Sequence, residues 1–454
     1  MEFLNKINSA VWGTPTLLLI FFTGVILTLR TNFFAIKNLR TAAKLFFGGK
    51  KTENSEKHLT PLQSASTALS ATMGTGNIVG VAGAVALGGP GAVFWMWVSA
   101  PVCLTVKFAE IALAVRYRET NRDGGYIGGA MYYIKNALPH IFSPLAAVFC
   151  ICGIAAAFGI GNMTQINTMS ASVSALFKTA TNISPRTDFF IKISVGLVCA
   201  AVCALVLKND GATGRFCEKT IPVMTVLYIV ITAGAIAANY TKIPMALRDI
   251  FIGAFCPKSV TGGVVGSAFV SVRFGMSRGI FSNEAGIGTA PTAYACSEGD
   301  EVSLGLMGVI EVFIDTLVVC TLTALTLLCV GNITYGVDGA STLTLGALMN
   351  VYGKNIVFVF CPMVCIFAFS STVGWGLYGV KFASFLFGEK SKKSFLILFI
   401  LAMIPAAVFR TDAVWVIAEI LNGLMALPNT AALLFLTNEV ADITYRHKRK
   451  LRGL

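Results

Sequence analysis

Hydrophobic and polar positions alternate along this chain in long blocks. Apolar runs of about 20 residues, the length that a helix needs to cross a bilayer, recur almost from end to end and are separated by short polar segments. This pattern predicts about eleven membrane-spanning helices. Their approximate cores are Val11–Leu29, Leu62–Leu87, Ala92–Val115, Pro144–Leu176, Phe189–Leu207, Ile221–Ala238, Gly262–Ala290, Val302–Val330, Ile356–Ser384, Phe395–Val408 and Ala413–Thr437.

Composition supports the same class of protein. Of the 454 residues, 55% are hydrophobic and only 13% are charged, whereas soluble globular domains have about 25% charged residues. The 12 cysteines lie almost all within apolar runs, where they act as small hydrophobic side chains. With only three histidines, the chain offers no convincing Cys/His metal site. We predict an all-α polytopic membrane protein without a separate soluble domain.

The net charge of +13 is distributed as in a membrane protein rather than a nucleic-acid binder. If the loop Arg30–Lys57 is placed in the cytoplasm and the sides alternate, the cytoplasmic segments hold 23 Lys and Arg residues, the outer segments 9 and the spans 3. Because Lys and Arg accumulate on the cytoplasmic side, this predicts a multi-pass protein of the cell membrane with an outer N-terminus and a cytoplasmic C-terminus. The basic tail is expected to bind anionic membrane lipid, and no nucleic-acid partner is expected.

Two spans contain residues that weaken a helix. The second holds "ATMGTGNIVG" (Ala71–Gly80), with three glycines, two threonines and an asparagine, and the seventh holds "FGMSRG" (Phe274–Gly279) at a similar depth, five spans later. Two interrupted helices at corresponding positions of two five-helix units are typical of an inverted-repeat transporter. The alternative is that the glycines only permit close helix packing. The predicted organisation is an extra N-terminal helix with a basic loop (1–60), a first repeat (61–240), a second repeat (241–440) and a basic tail (441–454).

An interrupted helix exposes backbone groups that a ligand can use. Freed carbonyls suit a hard cation such as Na⁺, and amides at the start of the second half-helix suit a carboxylate. Gly74 and Gly76 would give backbone freedom and close approach, while Thr75 and Asn77 would supply side-chain ligands. The second span is therefore predicted to bind a small zwitterion and its driving ion.

Further motifs follow in order along the chain. They are "GTGNIVGVAGAVALGGPGAVFWMW" from Gly74, "GIGNMTQIN" (Gly159–Asn167), "RGIFSNEAGIGTAP" (Arg278–Pro291), "GW" (Gly374–Trp375) and "NGLMALPN" (Asn422–Asn429). Together they resemble the alanine/glycine:cation symporter family, the sodium:alanine symporters. The resemblance implies a LeuT-type fold, alternating access around a midplane site, and uptake of a small neutral amino acid driven by Na⁺ or H⁺. Of the two ions, Na⁺ is the expected coupling ion, and no other cofactor is expected.

The chain departs from the family pattern in two motifs. It has "GWGLYGV" where the family often has "GWSYYGE", which puts Leu377 in place of a tyrosine and Val380 in place of an acid, and it has Ala130 where "GGPMYYI" has proline. The first two positions are expected near the substrate cavity and leave the preferred side chain open. Alanine or glycine is favoured, and a larger substrate such as glutamine, or proton coupling, is the alternative.

The resemblance also supplies a sodium site. The LeuT-type pattern pairs carbonyls just before the break with a carbonyl and two hydroxyls on the eighth core helix. Carried over by motif, it gives the carbonyls of Ser70, Met73 and Ala368 and the hydroxyls of Ser371 and Thr372. Five oxygens without a formal charge suit a monovalent cation. The alternative is that these hydroxyls bond only to the backbone of their own helix.

The expected substrate site combines the broken second span with side chains from other helices. Backbone amides around the break are expected to hold the carboxylate, a glutamine to bind the ammonium or the carboxylate, and apolar side chains to bound the pocket. The alternative for each aromatic residue is ordinary helix packing. The expected residues are Thr75, Gly76, Asn77, Asn162, Gln165, Phe274, Met276 and Trp375.

Charged residues inside spans are costly and often functional. Glu311 and Asp315 lie four residues apart in the eighth span, and Glu284 lies in the seventh. One interpretation makes one of these carboxylates a proton or second-cation site. The favoured interpretation pairs them with the two arginines of the seventh span as structural locks. Lys107 and Glu110, three residues apart, are expected to form a local pair.

Other classes of protein fit less well. A passive channel would show a repeated pore-lining filter, and the sequence has none. A membrane enzyme would carry a motif such as HExxH, which is absent from the sequence. The sequence therefore favours a secondary active symporter for a small neutral amino acid and sodium.

Overall fold

A computed structural model describes residues 2–48, 58–121, 124–181, 183–208, 210–331, 333–336, 340–409 and 411–451. Part of the expected basic loop, 49–57, and the last residues of the tail, 452–454, lie outside the described residues. Helices account for nearly all of what is described.

The α-helices are numbered in chain order. They are α1 (Glu2–Val11), α2 (Thr14–Arg30), α3 (Phe34–Lys37), α4 (Leu39–Phe47), α5 (Pro61–Thr72), α6 (Val81–Gly88), α7 (Gly91–Arg116), α8 (Ala130–Ala137), α9 (Pro144–Ala156), α10 (Thr164–Ala180), α11 (Pro185–Val206), α12 (Asp210–Ala238), α13 (Ile243–Phe255), α14 (Pro257–Val260), α15 (Ala268–Asn283), α16 (Pro291–Tyr294), α17 (Glu301–Val312), α18 (Thr321–Val330), α19 (Ala340–Tyr352), α20 (Val357–Phe387), α21 (Ser391–Leu401), α22 (Met403–Ala406), α23 (Thr411–Phe435) and α24 (Thr437–Leu451).

Shorter elements complete the described part of the chain. Three π-helical segments cover Gly76–Gly80, Ala157–Met163 and Phe313–Cys320, and each joins two α-helices. Single 3₁₀ turns cover His140–Phe142, Tyr240–Lys242 and Lys354–Ile356. Strands β1 (Glu119–Thr120) and β2 (Tyr126–Ile127) form a small antiparallel hairpin in which Glu119 lies opposite Ile127.

Long apolar helices are confirmed. By length and composition, 8 helical stretches of the described residues can cross a membrane, and the pair Pro61–Thr72 and Gly76–Gly88, bent by 43°, would make a ninth. The two other predicted spans correspond to shorter helices, α15 and α21. The number eleven therefore stays a prediction, as does the division into two repeats.

The break in the second span is confirmed. Helix α5 begins with a capping box in which the Thr60 hydroxyl accepts from the Gln63 amide and the Gln63 side chain accepts from the Thr60 amide, an arrangement that satisfies two free donors at the helix start. The helix ends at Met73, whose ψ of 76° leaves the helical region. Gly74 and Thr75 then connect it to the π-helical turn.

The predicted break at Phe274–Gly279 is wrong in position. Helix α15 runs without interruption through this stretch to Asn283. Its glycines serve close packing instead, since a Cβ on Gly275 would lie only 2.3 Å from the carbonyl oxygen of Ala92 in α7. The helix ends later, at Glu284, which has a left-handed φ of 53°, and irregular backbone follows until α16.

Helix α7 lies at the centre of the bundle. It packs against α15 and α17, and 83% of its most apolar window is buried, compared with 17% for α11, which faces outward. Helix α20 packs against α5, α10 and α12. The two broken helices therefore lie between central neighbours, where irregular backbone is sheltered from lipid as it must be.

One end of the bundle gathers basic side chains, and we call it the basic end. Here Arg118 donates to the Ser297 carbonyl at 2.6 Å and Lys381 forms an ion pair with Asp210. At the opposite end, Arg278 and Glu419 form an ion pair at 2.6 Å. The charge pattern predicts that the basic end is cytoplasmic, and this orientation stays a prediction.

Candidate functional site between the two broken helices

The ends of the two broken helices meet in the middle of the bundle. A Cβ added at Gly76 would lie 3.8 Å from the Cα of Ser282. Asp315 joins the two helices, because its carboxylate accepts from the Asn77 amide at 2.6 Å and from the Ser282 hydroxyl at 3.2 Å. Ser282 and the neighbouring Phe281 were missed as site residues, although the motif "RGIFSNEAGIGTAP" contains both.

The closest convergence is at Gly74. A Cβ there would lie 3.0 Å from the Ser371 hydroxyl oxygen and 3.3 Å from Oε1 of Gln165. The Ser371 hydroxyl donates across helices to the Ala71 carbonyl at 3.0 Å. The amide of Gln165 donates to the Ile160 carbonyl at 3.1 Å, while its Oε1 is buried without a partner among the described residues. Side chains from α20 and α10 therefore meet the break in the second span.

The hydroxyls on α20 differ in what they contact. Thr372 donates to the Ala368 carbonyl at 3.0 Å and Ser370 to the Phe367 carbonyl at 2.8 Å, so both bond within their own helix. Ser371 is the one of the three that reaches α5. The alternative that these hydroxyls bond only to the backbone of their own helix therefore holds for Thr372 but not for Ser371.

The two expected sodium ligands before the break are also buried. The Ser70 hydroxyl donates to the Thr67 carbonyl at 2.7 Å, and a Cβ on Gly374 would lie 2.8 Å from its oxygen, so α5 and α20 are in close contact there. Met73 ends α5, and its sulfur accepts from the Thr225 hydroxyl at 3.5 Å. Both residues therefore border the contact between α5, α12 and α20.

The expected substrate residues on the second span lie at the break. Thr75 and Asn77 are 2% exposed, and Oδ1 of Asn77 has no partner among the described residues. Asn162 points elsewhere, since its amide donates to the Phe399 carbonyl of α21 at 2.6 Å. Gln165, not Asn162, is the amide side chain that reaches the break.

The three apolar residues expected around the substrate are spread out. Trp375 lies near the second break, where its indole nitrogen donates to Glu284 at 3.1 Å. Phe274 packs against the C-terminal end of α6, where a Cβ added at Gly88 would lie 2.8 Å from the Cβ of Phe274. Met276 is buried within the continuous part of α15, about 10 Å along the helix from Asn283 at ~1.5 Å per residue.

A buried cluster of charges lies behind the site. Lys107 is fully buried and interacts electrostatically with Glu110, Glu284, Glu311 and Asp315. Its Nζ has no partner at hydrogen-bond distance among the described residues, and no direct Lys107–Glu110 ion pair forms within them. The expected local pair is therefore replaced by a larger cluster in which one cation faces four carboxylates.

The expected locks between these carboxylates and the arginines of the seventh span are wrong. Arg278 instead pairs with Glu419 of α23, and Arg273 donates to the Ser9 hydroxyl at 3.1 Å. Both arginines contact residues at the end opposite the basic end, whereas the carboxylates accept hydrogen bonds inside the bundle, from Thr289, Tyr294 and Asn77. The i, i+4 spacing placed two carboxylates on one face but did not identify that face.

Neutral hydrogen-bond donors hold the carboxylates in place. Thr289 donates to Glu284 at 2.5 Å, Asn429 to Glu110 at 2.5 Å, and Tyr294 to Glu311. Asn429 also donates to the Gly286 carbonyl at 2.9 Å, so the "NGLMALPN" motif supports the irregular backbone after α15. These hydrogen bonds thereby hold the irregular backbone that follows α15 in place.

The protein is more open toward the basic end. A cavity of about 820 Å³ lies there, lined on α20 by Leu377 and Val380 and at its mouth by Lys208, Lys392 and Lys393. Leu377 is six residues from Ser371, about 9 Å at ~1.5 Å per residue. Two of the named departures from the family pattern, Leu377 and Val380, therefore line this cavity, and Ala130 does not.

The opposite end is closed. The ion pair between Arg278 and Glu419 lies beside a space of only about 30 Å³. Trp12 donates its indole proton to the Glu419 carbonyl at 2.8 Å, and Asn8 donates to the Glu419 carboxylate at 2.6 Å. The extra N-terminal helix therefore contributes to this closure.

An interrupted second span that meets the end of α15 in mid-bundle, next to a hydroxyl-bearing neighbour, is the arrangement expected of a LeuT-type fold. The solved structure of MhsT in complex with L-phenylalanine has the same fold, with a TM-score of 0.61 and 15% sequence identity, over 86% of this chain and 99% of that chain. This confirms the expected fold class.

The chain belongs to the sodium:alanine symporter family, whose sequence profile matches residues 1–453. It is 38% identical to the sodium/alanine symporter AgcS of Methanococcus maripaludis, over 98% of this chain and 96% of that protein. It is 32% identical to the probable sodium/glutamine symporter GlnT of Bacillus subtilis, over 95% of this chain and 87% of that protein. The protein is therefore a multi-pass membrane transporter of a sodium-coupled amino-acid transporter family, and the resemblance found in the sequence is confirmed.

Proposed function

We propose that this protein is a secondary active symporter that takes up alanine or glycine together with Na⁺ across the cell membrane. The observation that carries the proposal is the convergence at Gly74, where the Ser371 hydroxyl and the Gln165 amide oxygen approach the broken helix. One group suits a cation and the other an ammonium, so ion and substrate would stabilise the same segment. Each would then raise the affinity for the other.

The proposed Na⁺ ligands are the carbonyls of Ser70, Met73 and Ala368 and the hydroxyls of Ser371 and Thr372. Both hydroxyls donate their protons to carbonyl oxygens, which leaves their own lone pairs free for a cation. Neutral oxygens favour a monovalent ion over Ca²⁺ or Mg²⁺, which favour carboxylates.

The proposed substrate site uses the backbone of Thr75, Gly76 and Asn77 for the carboxylate. Gln165 would bind the ammonium, because its amide nitrogen is already bonded to a carbonyl while its oxygen has no partner in the described part of the chain, and an ammonium is a donor only. Phe281, whose ring lies 3.9 Å from the position of a Cβ on Gly76, would limit the size of the side chain. Asn162, Phe274, Met276 and Trp375 stay predictions.

The two departures from the family pattern at the cavity do not favour a larger substrate. Leu377 and Val380 line the cavity at the basic end, so the departures from the family pattern affect the access path more than the residues at the break. The glutamine alternative therefore gains nothing from these two substitutions. In this proposal, the basic end is cytoplasmic and the cavity is the route of release.

The test is uptake of labelled alanine into proteoliposomes with an inward Na⁺ gradient. We expect uphill uptake that requires Na⁺ and that excess unlabelled glycine inhibits more strongly than glutamine. Uptake that persists without Na⁺ but is lost when a protonophore removes the proton gradient would replace Na⁺ by H⁺. Stronger inhibition by glutamine than by glycine would overturn the small-substrate assignment, and downhill flux alone would overturn the symporter.

A further inference from the structure

A second cavity, of about 760 Å³, opens on the flank of the bundle. It lies between α4, α5, α12 and the segment from α17 to Cys320, away from the gap at Gly74. Its walls are almost entirely apolar and include Phe46, Leu69, Val226, Ile229 and Phe313. Its volume falls within the ~300–1,000 Å³ of typical ligand pockets. Val226, 59% exposed, and Phe313, 37% exposed, place its opening where the helices would face lipid.

Basic side chains stand at the end of this cavity nearest the basic end. Arg40 lines the cavity, and Lys44 follows it by four residues on α4, so both lie on one face. Lys219 precedes Pro222 and Val226 on α12 by three and seven residues, on the face that lines the cavity. All three basic residues are exposed, and none forms an ion pair within the described part of the chain.

Helix α4 has the character of an interfacial helix. Ala42 and Phe46 are buried against the bundle, while Arg40 and Lys44 are exposed. A short helix with an apolar inner face and a basic outer face lies in the plane of the headgroups. Basic groups beside an apolar crevice between spans match the two parts of an anionic phospholipid.

We propose that this cavity binds one acyl chain of an anionic phospholipid, whose phosphate lies at Arg40, Lys44 and Lys219. The basic residues select a negative headgroup, and the apolar walls select a lipid rather than free phosphate. None of the proposed ion and substrate residues lines this cavity. We expect the bound lipid to increase the rate of transport, and this part of the proposal rests on the proposed function.

The inner wall of the cavity leads to the broken helix. The carbonyl of Leu69 accepts from the Met73 amide at 2.7 Å, in the last turn before the break. Thr225, another lining residue, donates its hydroxyl proton to the Met73 sulfur at 3.5 Å. On the other side, Ile314 lines the cavity and directly precedes Asp315, which holds both broken helices. A bound acyl chain therefore contacts the supports of both breaks and stabilises the conformation in which the cavity has this shape.

The binding test compares two substitutions on α12. Val226→Trp fills the cavity, whereas Val223→Trp adds the same side chain at an equally exposed position that does not line it. Phosphatidylglycerol added to the full-length protein in detergent should raise the apparent unfolding temperature by about 2 °C or more. We expect this saturable shift in the wild type and in Val223→Trp, and its loss in Val226→Trp.

The headgroup is tested with Arg40→Gln and with a matched Arg248→Gln, an exposed arginine of α13 outside the cavity. Arg40→Gln should reduce the response to phosphatidylglycerol and Arg248→Gln should not. Equal shifts with phosphatidylcholine, or a wild-type response in Val226→Trp, would overturn the site. A response to glycerol phosphate alone would show a phosphate site instead of a lipid site.

Transport separates the lipid site from the proposed function. Initial alanine uptake should be about twofold faster in liposomes containing phosphatidylglycerol than in phosphatidylcholine alone, and this difference should disappear in Val226→Trp. A thermal response without any uptake would contradict the symporter but keep the site. Uptake that is equal in both lipids would contradict the regulation.

Discussion

At the scale of single residues, the candidate site depends on the missing side chain of Gly74 as much as on the side chains of Ser371 and Gln165. Gly74 lets the Ser371 hydroxyl and the Gln165 amide approach the backbone where α5 ends. A residue with a Cβ would separate these groups from the peptide units that the break frees. The site therefore depends on Gly74, which directly follows α5, and on the hydroxyl of Ser371 on α20.

Replacing Gly74 by Ala tests this convergence. The new Cβ would lie 3.0 Å from Oγ and 3.2 Å from Cβ of Ser371, and overpacking of this kind costs about 1–3 kcal/mol. We expect alanine uptake to fall about tenfold, in line with that range. Gly80→Ala is the control, because a Cβ at Gly80 meets nothing within 4 Å. Similar uptake in the two variants would show that close approach at Gly74 is not required.

Ser371→Ala tests the proposed cation ligand. Losing a hydrogen-bonding group that faces a charge costs about 1.5–3 kcal/mol, so the Na⁺ concentration for half-maximal uptake should rise about tenfold or more. Ser370→Ala is the matched control, since Ser370 bonds within its own helix and should leave Na⁺ activation unchanged. Unaltered Na⁺ dependence in Ser371→Ala would remove this residue from the site.

At the scale of elements, the prediction and the structure agree where the residues of a single span determine its local structure. The break in the second span was predictable because glycines and hydrogen-bonding side chains interrupt an apolar run. The seventh span misled the prediction because its glycines allow α15 to pack against α7, while the true break begins at Glu284. Gly286 and Gly288, both with positive φ, were the better signal for it.

The charge cluster could not be predicted from spacing alone. Lys107 and Glu110 lie on α7, Glu284 lies after α15, and Glu311 and Asp315 lie in the eighth predicted span. Three segments distant in sequence must pack together before one lysine faces four carboxylates. Spacing along a helix predicted pairs at i, i+3 and i, i+4. In the structure, packing between these segments brings the same residues into a single cluster.

Lys107→Met should destabilise the protein strongly. It leaves the four carboxylates without the cation that faces them, and removing one partner of a buried charge set costs about 3–5 kcal/mol. We expect a lower apparent unfolding temperature in detergent and little folded protein. Lys135→Met, at an exposed lysine of α8, is the control. Equal unfolding temperatures for Lys107→Met and Lys135→Met would contradict the electrostatic account.

At the scale of the whole molecule, the two ends of the bundle are unequal. The basic end contains the cavity of about 820 Å³, while the opposite end is closed by Arg278, Glu419 and the N-terminal helix. The charge pattern predicted which end is basic but not which end is open, because opening depends on how α20, α21 and α12 separate. In the proposed cycle this conformation faces the cytoplasm.

Breaking the closure at the far end should therefore reduce access at the basic end. Alternating access makes the two openings exclusive, so a variant that loses the Arg278–Glu419 pair spends less time in the present conformation. The reporter is Leu377→Cys, at the inner part of the cavity, labelled by a membrane-impermeant thiol reagent in inside-out vesicles and read by peptide mass spectrometry. We expect Arg278→Met to slow this labelling about threefold. Arg273→Met, which removes a hydrogen bond to Ser9 and a contact with the Phe274 ring but no ion pair of the described residues, should leave the rate unchanged, and equal labelling in all three backgrounds would show that the Arg278–Glu419 pair does not govern which side is open.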